Sequence, residues 1–255
     1  MPATALPEIG AGAPLLELFS SVQGEGLLIG CRQIFLRLAG CNLCCAYCDT
    51  DFAPSALCRV EQQPGSDQFV FWPNPVALPM VLGQIRDWLQ QAPGAHHSLA
   101  LTGGEPLLHR ALLRDWLPQL RGLLPVQLET NGTLPQALAE LLPWLDFVAM
   151  DIKLASQTGV PTPWAAHDEF LRLAAQRCCW VKLVVGPGTS TTELEQAAAL
   201  VVQRAPAATL VLQPRTLDHR CSLSAAELLA MQTRVASLGV EVRVIGQMHR
   251  YLGML

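Results

Sequence analysis

The chain has 255 residues, 51% of them hydrophobic and 15% charged, and a formal net charge of −4. That length holds one large α/β domain or two small ones, with apolar material enough for a sizeable core. Two function classes are excluded: no basic run offers a footprint for nucleic acid, and no uninterrupted apolar stretch reaches the ~18–20 residues of a membrane span.

The first positive side chain is Arg32, so no secretory n-region precedes an apolar stretch. Nine cysteines at irregular spacing, with no export signal, indicate a reducing compartment. The expectation is a soluble, cytoplasmic protein. Residues 1–14, rich in Ala, Pro and Gly, read as a loose leader, and 15–255 as one domain. Within it, short β-rich runs alternate with segments of helical apolar spacing. Strands are predicted at 33–39, 98–102, 126–129, 147–151, 181–185 and 209–213, with an extra one at 240–245. Helices are predicted at 76–91, 110–122, 135–142, 164–178, 191–204 and 224–238. Ser224 and Glu227 form a capping box opening the last helix, and Gly239 stops it. Such alternation predicts right-handed crossovers and a parallel sheet. The fold class is therefore α/β, a partial (β/α)6 barrel with an extra C-terminal strand and tail. Residues 54–79, rich in Pro, Gln and aromatics, break the rhythm and read as an insertion over the barrel mouth.

Chemistry in parallel barrels collects at the C-terminal ends of the strands. The polar oddities of this chain fall there in register. A cysteine loop follows the first predicted strand, and Thr102-Gly103-Gly104-Glu105-Pro106 the second. Glu129-Thr130-Asn131-Gly132 closes the third, Asp151-Ile152-Lys153 the fourth and Gln213-Pro214 the sixth.

In the cysteine loop, Cys41, Cys45 and Cys48 stand as C-x3-C-x2-C, with Tyr47 before the last. Thiolates are the usual ligands of iron–sulfur clusters, and a cubane takes four. Three from the protein leave one iron open. Cys44 creates a second frame, Cys41-x2-Cys44 and Cys45-x2-Cys48, each half of a zinc knuckle, but the two halves abut with no residue on which the chain could turn. Cys31, Cys58, Cys178, Cys179 and Cys221 have no ligand spacing and read as packing residues. Gly103 and Gly104 let backbone approach a ligand. Glu105 is either an acceptor for an ammonium group or part of an ordinary strand-to-helix turn. Alternation puts Phe35 and Arg37 on one strand face and Ile34, Leu36 and Leu38 on the other. An inward arginine is costly unless paired. Its planar fork suits a substrate carboxylate, or that of Glu25 or another core acid.

The cysteine loop and Gly103-Gly104-Glu105-Pro106 resemble the radical S-adenosylmethionine superfamily. Phe19-Ser20-Ser21-Val22-Gln23-Gly24-Glu25-Gly26, Arg37, Asp49-Thr50 and the ending His249-Arg250-Tyr251-Leu252-Gly253 narrow the resemblance to its 7-carboxy-7-deazaguanine synthase family. It runs from about residue 15 to the end, with 54–79 unmatched, and the extra thiol Cys44 is not a family requirement. The resemblance implies a [4Fe–4S] cluster on Cys41, Cys45 and Cys48, whose open iron binds S-adenosylmethionine and splits it to a 5′-deoxyadenosyl radical. It implies cofactor contacts at Tyr47, Asp49, Gly103, Gly104 and Glu105, the last to the methionine ammonium. Glu129 would hold ribose hydroxyls, with Asp151, Lys153 and Gln213 as further contacts. Mg²⁺ would sit on Thr50, whose alternative is an N-cap. Substrate contacts fall on Val22, Gln23, Gly24, Glu25, Arg37, Thr102 and His249, and on the carboxylate of Leu255.

The implied reaction is ring contraction of 6-carboxy-5,6,7,8-tetrahydropterin to 7-carboxy-7-deazaguanine with release of ammonia, on the route to queuosine-type 7-deazapurines. A reductant such as flavodoxin or ferredoxin and a homodimer are implied as well. The rivals are a glycyl-radical-enzyme activase of the same superfamily, and a non-catalytic zinc- or cluster-binding module. Termini fray unless tied down, so a tail keeping His249, Tyr251 and Leu252 is expected to fold back over the mouth, with no helix of its own.

Overall fold

The computed structural model describes residues 12–48, 50–217 and 220–254. Its main sheet takes in β1 (Leu15–Val22), β2 (Arg32–Leu38), β3 (Leu57–Glu61), β4 (Phe69–Pro73), β5 (Ser98–Gly103), β6 (Val126–Thr130), β7 (Phe147–Asp151), β8 (Cys178–Val185) and β9 (Thr209–Pro214). The short β10 (Thr216–Leu217) and β11 (Arg220–Cys221) pair by themselves, and β12 (Val242–Val244) joins the main sheet beside β9. From one edge the order is β12-β9-β8-β7-β6-β5-β2-β1-β3-β4, and β2 through β12 in that order run parallel.

The crossovers carry α1 (Leu78–Gln91), α2 (Arg110–Arg121), α3 (Pro135–Leu141), the one-turn α4 (Ala155–Thr158), α5 (Trp164–Ala174), α6 (Thr191–Arg204) and α7 (Ala225–Ala236), and α8 (Met248–Leu252) follows β12. Strands β2, β5, β6, β7, β8 and β9 with their helices make the expected partial (β/α)6 barrel, and β12 is its extra strand. Predicted helix 164–178 stops at Ala174 because Cys178 and Cys179 already belong to β8.

Side-chain alternation separates the two faces of each strand. One contiguous cluster of buried residues, from Ala13 to Val240, joins Ile34, Leu36, Leu101, Leu128 and Met150 of the strands to Trp88, Trp116 and Phe170 of the helices. The opposite face carries two small groups, Phe19 with Phe35 and Ala100, and Ala149 with Trp180 and Val211. Between them the inner face is polar. Gln33 Nε2 donates to Ser98 Oγ at 2.6 Å and to Gln127 Oε1 at 2.7 Å, and Gln23 Nε2 donates to Gln33 Oε1 at 2.8 Å. These amides fill the barrel floor with satisfied hydrogen bonds.

Two expectations are corrected. Residues 54–79 do not lie over the mouth. They contain the hairpin β3–β4, which extends the sheet edge because β1 is antiparallel to β2 and parallel to β3. Cys58 and Val60 are buried on one face of β3, a period of two too short to stand out among prolines and glutamines. The leader is not loose to residue 14 either: Ala13 is buried and exchanges backbone hydrogen bonds with Val76 at 2.7 and 2.9 Å. Residues 1–11 lie outside the described residues. No helix among those described is long and apolar enough to cross a membrane.

Asn74 bolts the hairpin to β1. Its Oδ1 accepts from Leu15 N at 3.1 Å, and its Nδ2 donates to Leu15 O at 2.6 Å and Ser55 O at 3.0 Å. Asn74→Ala strips the buried Leu15 backbone of these partners. Urea unfolding is expected to show a loss of about 1–3 kcal/mol; an unchanged midpoint would mean that water replaces the amide without cost.

Candidate active site

A cavity of about 410 Å³ opens at the C-terminal ends of the parallel strands. Its wall includes Val22, Gln23, Gly24, Glu25, Arg37, the three cysteines Cys41, Cys45 and Cys48, Tyr47, Thr50, Thr102, Gly103 and Gly104. Glu129, Asp151, Lys153, Gln213 and His249 complete the sequence-predicted set on that wall. Glu105 is not on it. Asp49 and Leu255 lie outside the described residues.

The cysteine loop is pinned where it leaves β2. Gly104 N donates to Leu38 O at 3.2 Å and Glu105 N to Gly40 O at 2.8 Å. A Cβ on Gly103 (φ +138) would stand 2.1 Å from Leu38 O, and one on Gly104 2.0 Å from Gly40 O. The close approach that the glycine pair permits is thus to the cysteine loop itself, which rests against the end of β5. Burial pushes the Cys41 and Cys45 thiols up, and neighbouring Cys48 adds to the rise on both. Cys44 points out to solvent and is absent from the wall. Among the described residues no three His, Cys, Asp or Glu converge closely enough to hold one metal ion. Three soft thiols spread around one wall fit a polynuclear cluster better than a single zinc. Loading it must displace their protons.

Glu105 corrects an expectation. It is fully buried; Thr130 Oγ1 donates to both its oxygens at 2.9 and 3.0 Å, Asn131 N at 2.7 Å and Leu107 N at 3.0 Å. Burial raises its pKa to about 7 against those donors. In this geometry it caps the turn after β5 and ties it to β6, which is the turn role rather than that of an ammonium acceptor. Asn131 carries the bracing onward, donating from Nδ2 to Asn42 Oδ1 at 2.9 Å within the cysteine loop.

The same wall carries a chain of charges that the sequence reading missed at its centre. Lys182, on β8, pairs with Glu25 and reaches Asp151 Oδ1 at 3.3 Å; Lys153 Nζ donates to Asp151 Oδ2 at 2.7 Å. Burial opposes the charge on Glu25, but Lys182 outweighs it and holds the carboxyl at about 2. Burial likewise opposes Lys182, and Asp151 and then Glu25 keep it protonated well above the ordinary range. Its signal was present: a lone lysine between Trp180 and Val184 on the inward alternation of an apolar strand, the pattern already noted for Arg37. Lys153 Nζ lies 5.5 Å from the Tyr47 ring centroid and Arg215 Cζ 5.9 Å. The aromatic beside Cys48 is therefore flanked by two cations.

The Radical SAM superfamily profile matches residues 36–201. The 7-carboxy-7-deazaguanine synthase of Geobacter sulfurreducens is 43% identical over 246 residues, which cover 96% of this chain and 98% of that protein. The chain belongs to the 7-carboxy-7-deazaguanine synthase family. The synthase of Methanothermobacter thermautotrophicus is 32% identical over 266 residues, 95% of this chain and 98% of the relative. The crystal structure of QueE from Escherichia coli matches with a TM-score of 0.55 at 22% identity, over 91% of this chain and 93% of that one, and shows the shared fold.

In this 7-carboxy-7-deazaguanine synthase family member, the far end of the cavity is built by the run before β2. Gln23 Nε2 donates to Glu129 Oε1 at 2.7 Å, and its own Oε1 accepts from Glu25 N at 3.0 Å. Burial pushes the Glu129 carboxyl up, and nearby Glu25 adds to the effect. Arg37 donates through Nε to Glu17 Oε2 at 2.8 Å. The acid it pairs with is thus another one than Glu25. The tail does return to the site, but as the short helix α8. Met248 N donates to Gly24 O at 2.9 Å, Gln247 Nε2 to Glu25 Oε1 at 3.0 Å, and His249 packs where a side chain on Gly24 would be.

Two outcomes are expected. Alanine at Cys41, Cys45 or Cys48 should abolish iron loading and visible absorbance after anaerobic reconstitution, while Cys44→Ala keeps both; the reverse for Cys44 and Cys45 would move the ligand frame. Lys182→Met should cost on the order of 3 kcal/mol, since it leaves buried carboxylates unpaired. With its folded pKa depressed, Glu25 stabilises the wild type above its ordinary pKa, and that contribution is lost as pH falls from about 4.5 toward 2. Without Lys182, burial alone raises the carboxyl, so the variant's deficit should shrink on acidification from neutrality. A deficit independent of pH in denaturation curves would show that Lys182 does not hold Glu25 ionised.

Proposed function

We propose that the chain converts 6-carboxy-5,6,7,8-tetrahydropterin to 7-carboxy-7-deazaguanine with release of ammonia, as a cytoplasmic step toward queuosine-type 7-deazapurines. The observation that carries this reading is the placing of an arginine fork, Arg37, on the same wall as three cysteines in the radical S-adenosylmethionine spacing. A non-catalytic module has no use for that arginine, and an activase working on a protein chain would not enclose it in a barrel.

Cys41, Cys45 and Cys48 would hold the [4Fe–4S] cluster, which when loaded supplies the electron that cleaves S-adenosylmethionine. Tyr47, Asp151 and Lys153 lie on the thiol side and suit the cofactor, with Asp49, Gly103, Gly104 and Gln213 as further contacts. Glu129 offers an acceptor for hydroxyl groups. On the other side, Gln23 and Glu25 present fixed acceptors and donors to the amino-pyrimidinone edge of a pterin, Arg37 takes the carboxylate, and Val22, Gly24, Thr102 and His249 frame the ring. The Leu255 carboxylate is proposed to cap the guanidine-like edge. Thr50 is a hard oxygen donor on the cavity wall, suited to Mg²⁺ shared with substrate and water. A flavodoxin or ferredoxin as reductant and a homodimer belong to the same proposal.

Anaerobic reconstitution followed by product analysis with carboxypterin and S-adenosylmethionine tests it. The expected product is 7-carboxy-7-deazaguanine, suppressed by chelation and restored by Mg²⁺. Arg37→Ala should weaken substrate binding by about 2–4 kcal/mol while leaving the binding of S-adenosylmethionine in place. Formation of 5′-deoxyadenosine with no deazapurine would sink the substrate assignment, and full activity in metal-free buffer would remove Mg²⁺.

A further inference from the structure

The hairpin β3–β4 contributes nothing to the cavity wall, yet it carries a residue aimed at the site. Glu17 of β1 stands in register with Arg37 of β2 on one side and with Arg59 of β3 on the other. Glu17 Oε2 accepts from Arg37 Nε at 2.8 Å, and Glu17 Oε1 lies 2.9 Å from Arg59 Nη2. One carboxylate is thus shared, an oxygen each, between two guanidiniums. A bulge between Leu15 and Glu17 sets this row: it lets Leu15 and Leu18, three apart, both join the outer core, and turns Glu17 to the face of Phe19 and Arg37.

We infer that Glu17 and Arg59 are positioning residues for Arg37, so that the hairpin is a working part of the substrate-carboxylate site; this rests on the pterin reading above. The argument is one of charge. Glu17 alone would orient Arg37 but also neutralise it, and a substrate carboxylate would then compete with a built-in one. Arg59 draws off half of Glu17 and leaves the row with one surplus positive charge. Among the described residues the terminal nitrogens of Arg37 donate to no protein acceptor, and Arg37 lines the cavity. Its plane is further set by Phe19, whose ring centroid is 5.8 Å from the guanidinium carbon and which stacks on Phe35 at 5.0 Å. Arg59 is held just as firmly, with its guanidinium carbon 4.0 Å from the centroid of Phe69 in β4. Among the described residues its buried Nε has no hydrogen-bond partner, a desolvation cost that the Glu17 and Phe69 contacts offset.

The test compares the affinity of the reconstituted, S-adenosylmethionine-bound protein for 6-carboxytetrahydropterin with that for its neutral 6-carboxamide. Wild type should prefer the carboxylate. In Arg59→Gln the preference should fall about tenfold, because Glu17 turns wholly onto Arg37. Adding Glu17→Gln to that variant should restore most of it, since the amide oxygen still accepts from Nε without bringing charge. A merely structural hairpin would lower both affinities together and show no such rescue. Arg59→Lys, which keeps the charge but not the fork or the ring stacking, should lose roughly threefold, and it decides the matter if Arg59→Gln does not fold. A folded Arg59 variant with the wild-type preference overturns the inference and leaves the proposed reaction standing. A wild type that does not distinguish the two pterins overturns the carboxylate reading, and this inference with it.

Discussion

Charge compensation across the barrel mouth is the constraint on which the rest of the structure depends. Glu25, Glu129, Asp151, Lys153 and Lys182 share one cavity, where an unpaired charge would be forced to neutralise. Lys182 resolves this by standing between Glu25 and Asp151. The consequence is architectural as well as electrostatic. Glu25 belongs to the run before β2 and Lys182 to β8, 157 residues apart in sequence, so their contact ties one side of the open barrel to the other. Gln247 adds the C-terminal tail to the same carboxylate. The contacts that close the mouth, dock α8 and keep the site ionised thus meet on one carboxylate, Glu25.

Much of this was legible in sequence, for identifiable reasons. Strands with a clean apolar period bounded by turn residues, such as β7 at Phe147–Asp151, read directly, and α7 at Ala225–Ala236 did so through its capping box and spacing. Polar residues at strand ends read as a site because a parallel barrel gathers such ends. What escaped was set by tertiary context. β1, with a bulge and two adjacent serines after Phe19, has no regular period, and β3 and β4 are five-residue strands in a proline-rich stretch. Glu105 and the glycine pair were read toward a ligand. In the fold their nearest neighbours are Thr130, Asn131 and the backbone of Leu38 and Gly40, partners that are distant in sequence. Lys182 was passed over because it sits mid-strand rather than at a strand end, although its neighbours already marked the inward face.

The two ends of the cavity make opposite demands, and the inner face meets them in order. The thiol end needs cysteines that are held in place yet free to lose their protons when metal arrives. The loop is held mainly by backbone contacts with Gly104 and Glu105, with only long contacts at the sulfurs, from Leu43 N and Asn131 Nδ2 to Cys41 and from Cys48 to Thr50 O. The carboxylate end needs a cation that is oriented but not neutralised, which one acid shared between two arginines provides. Between them lies a floor of neutral amides, Gln23, Gln33 and Gln127, hydrogen-bonded to one another, to Ser98 and to the edge of Glu129. A charged floor would have coupled the two ends, so that loading one shifted the ionisation of the other. Neutral dipoles fixed by mutual hydrogen bonds screen little and move little. The charges above them are set by different partners, Lys153 with Asp151 beside the thiols and the Glu17 row around Arg37.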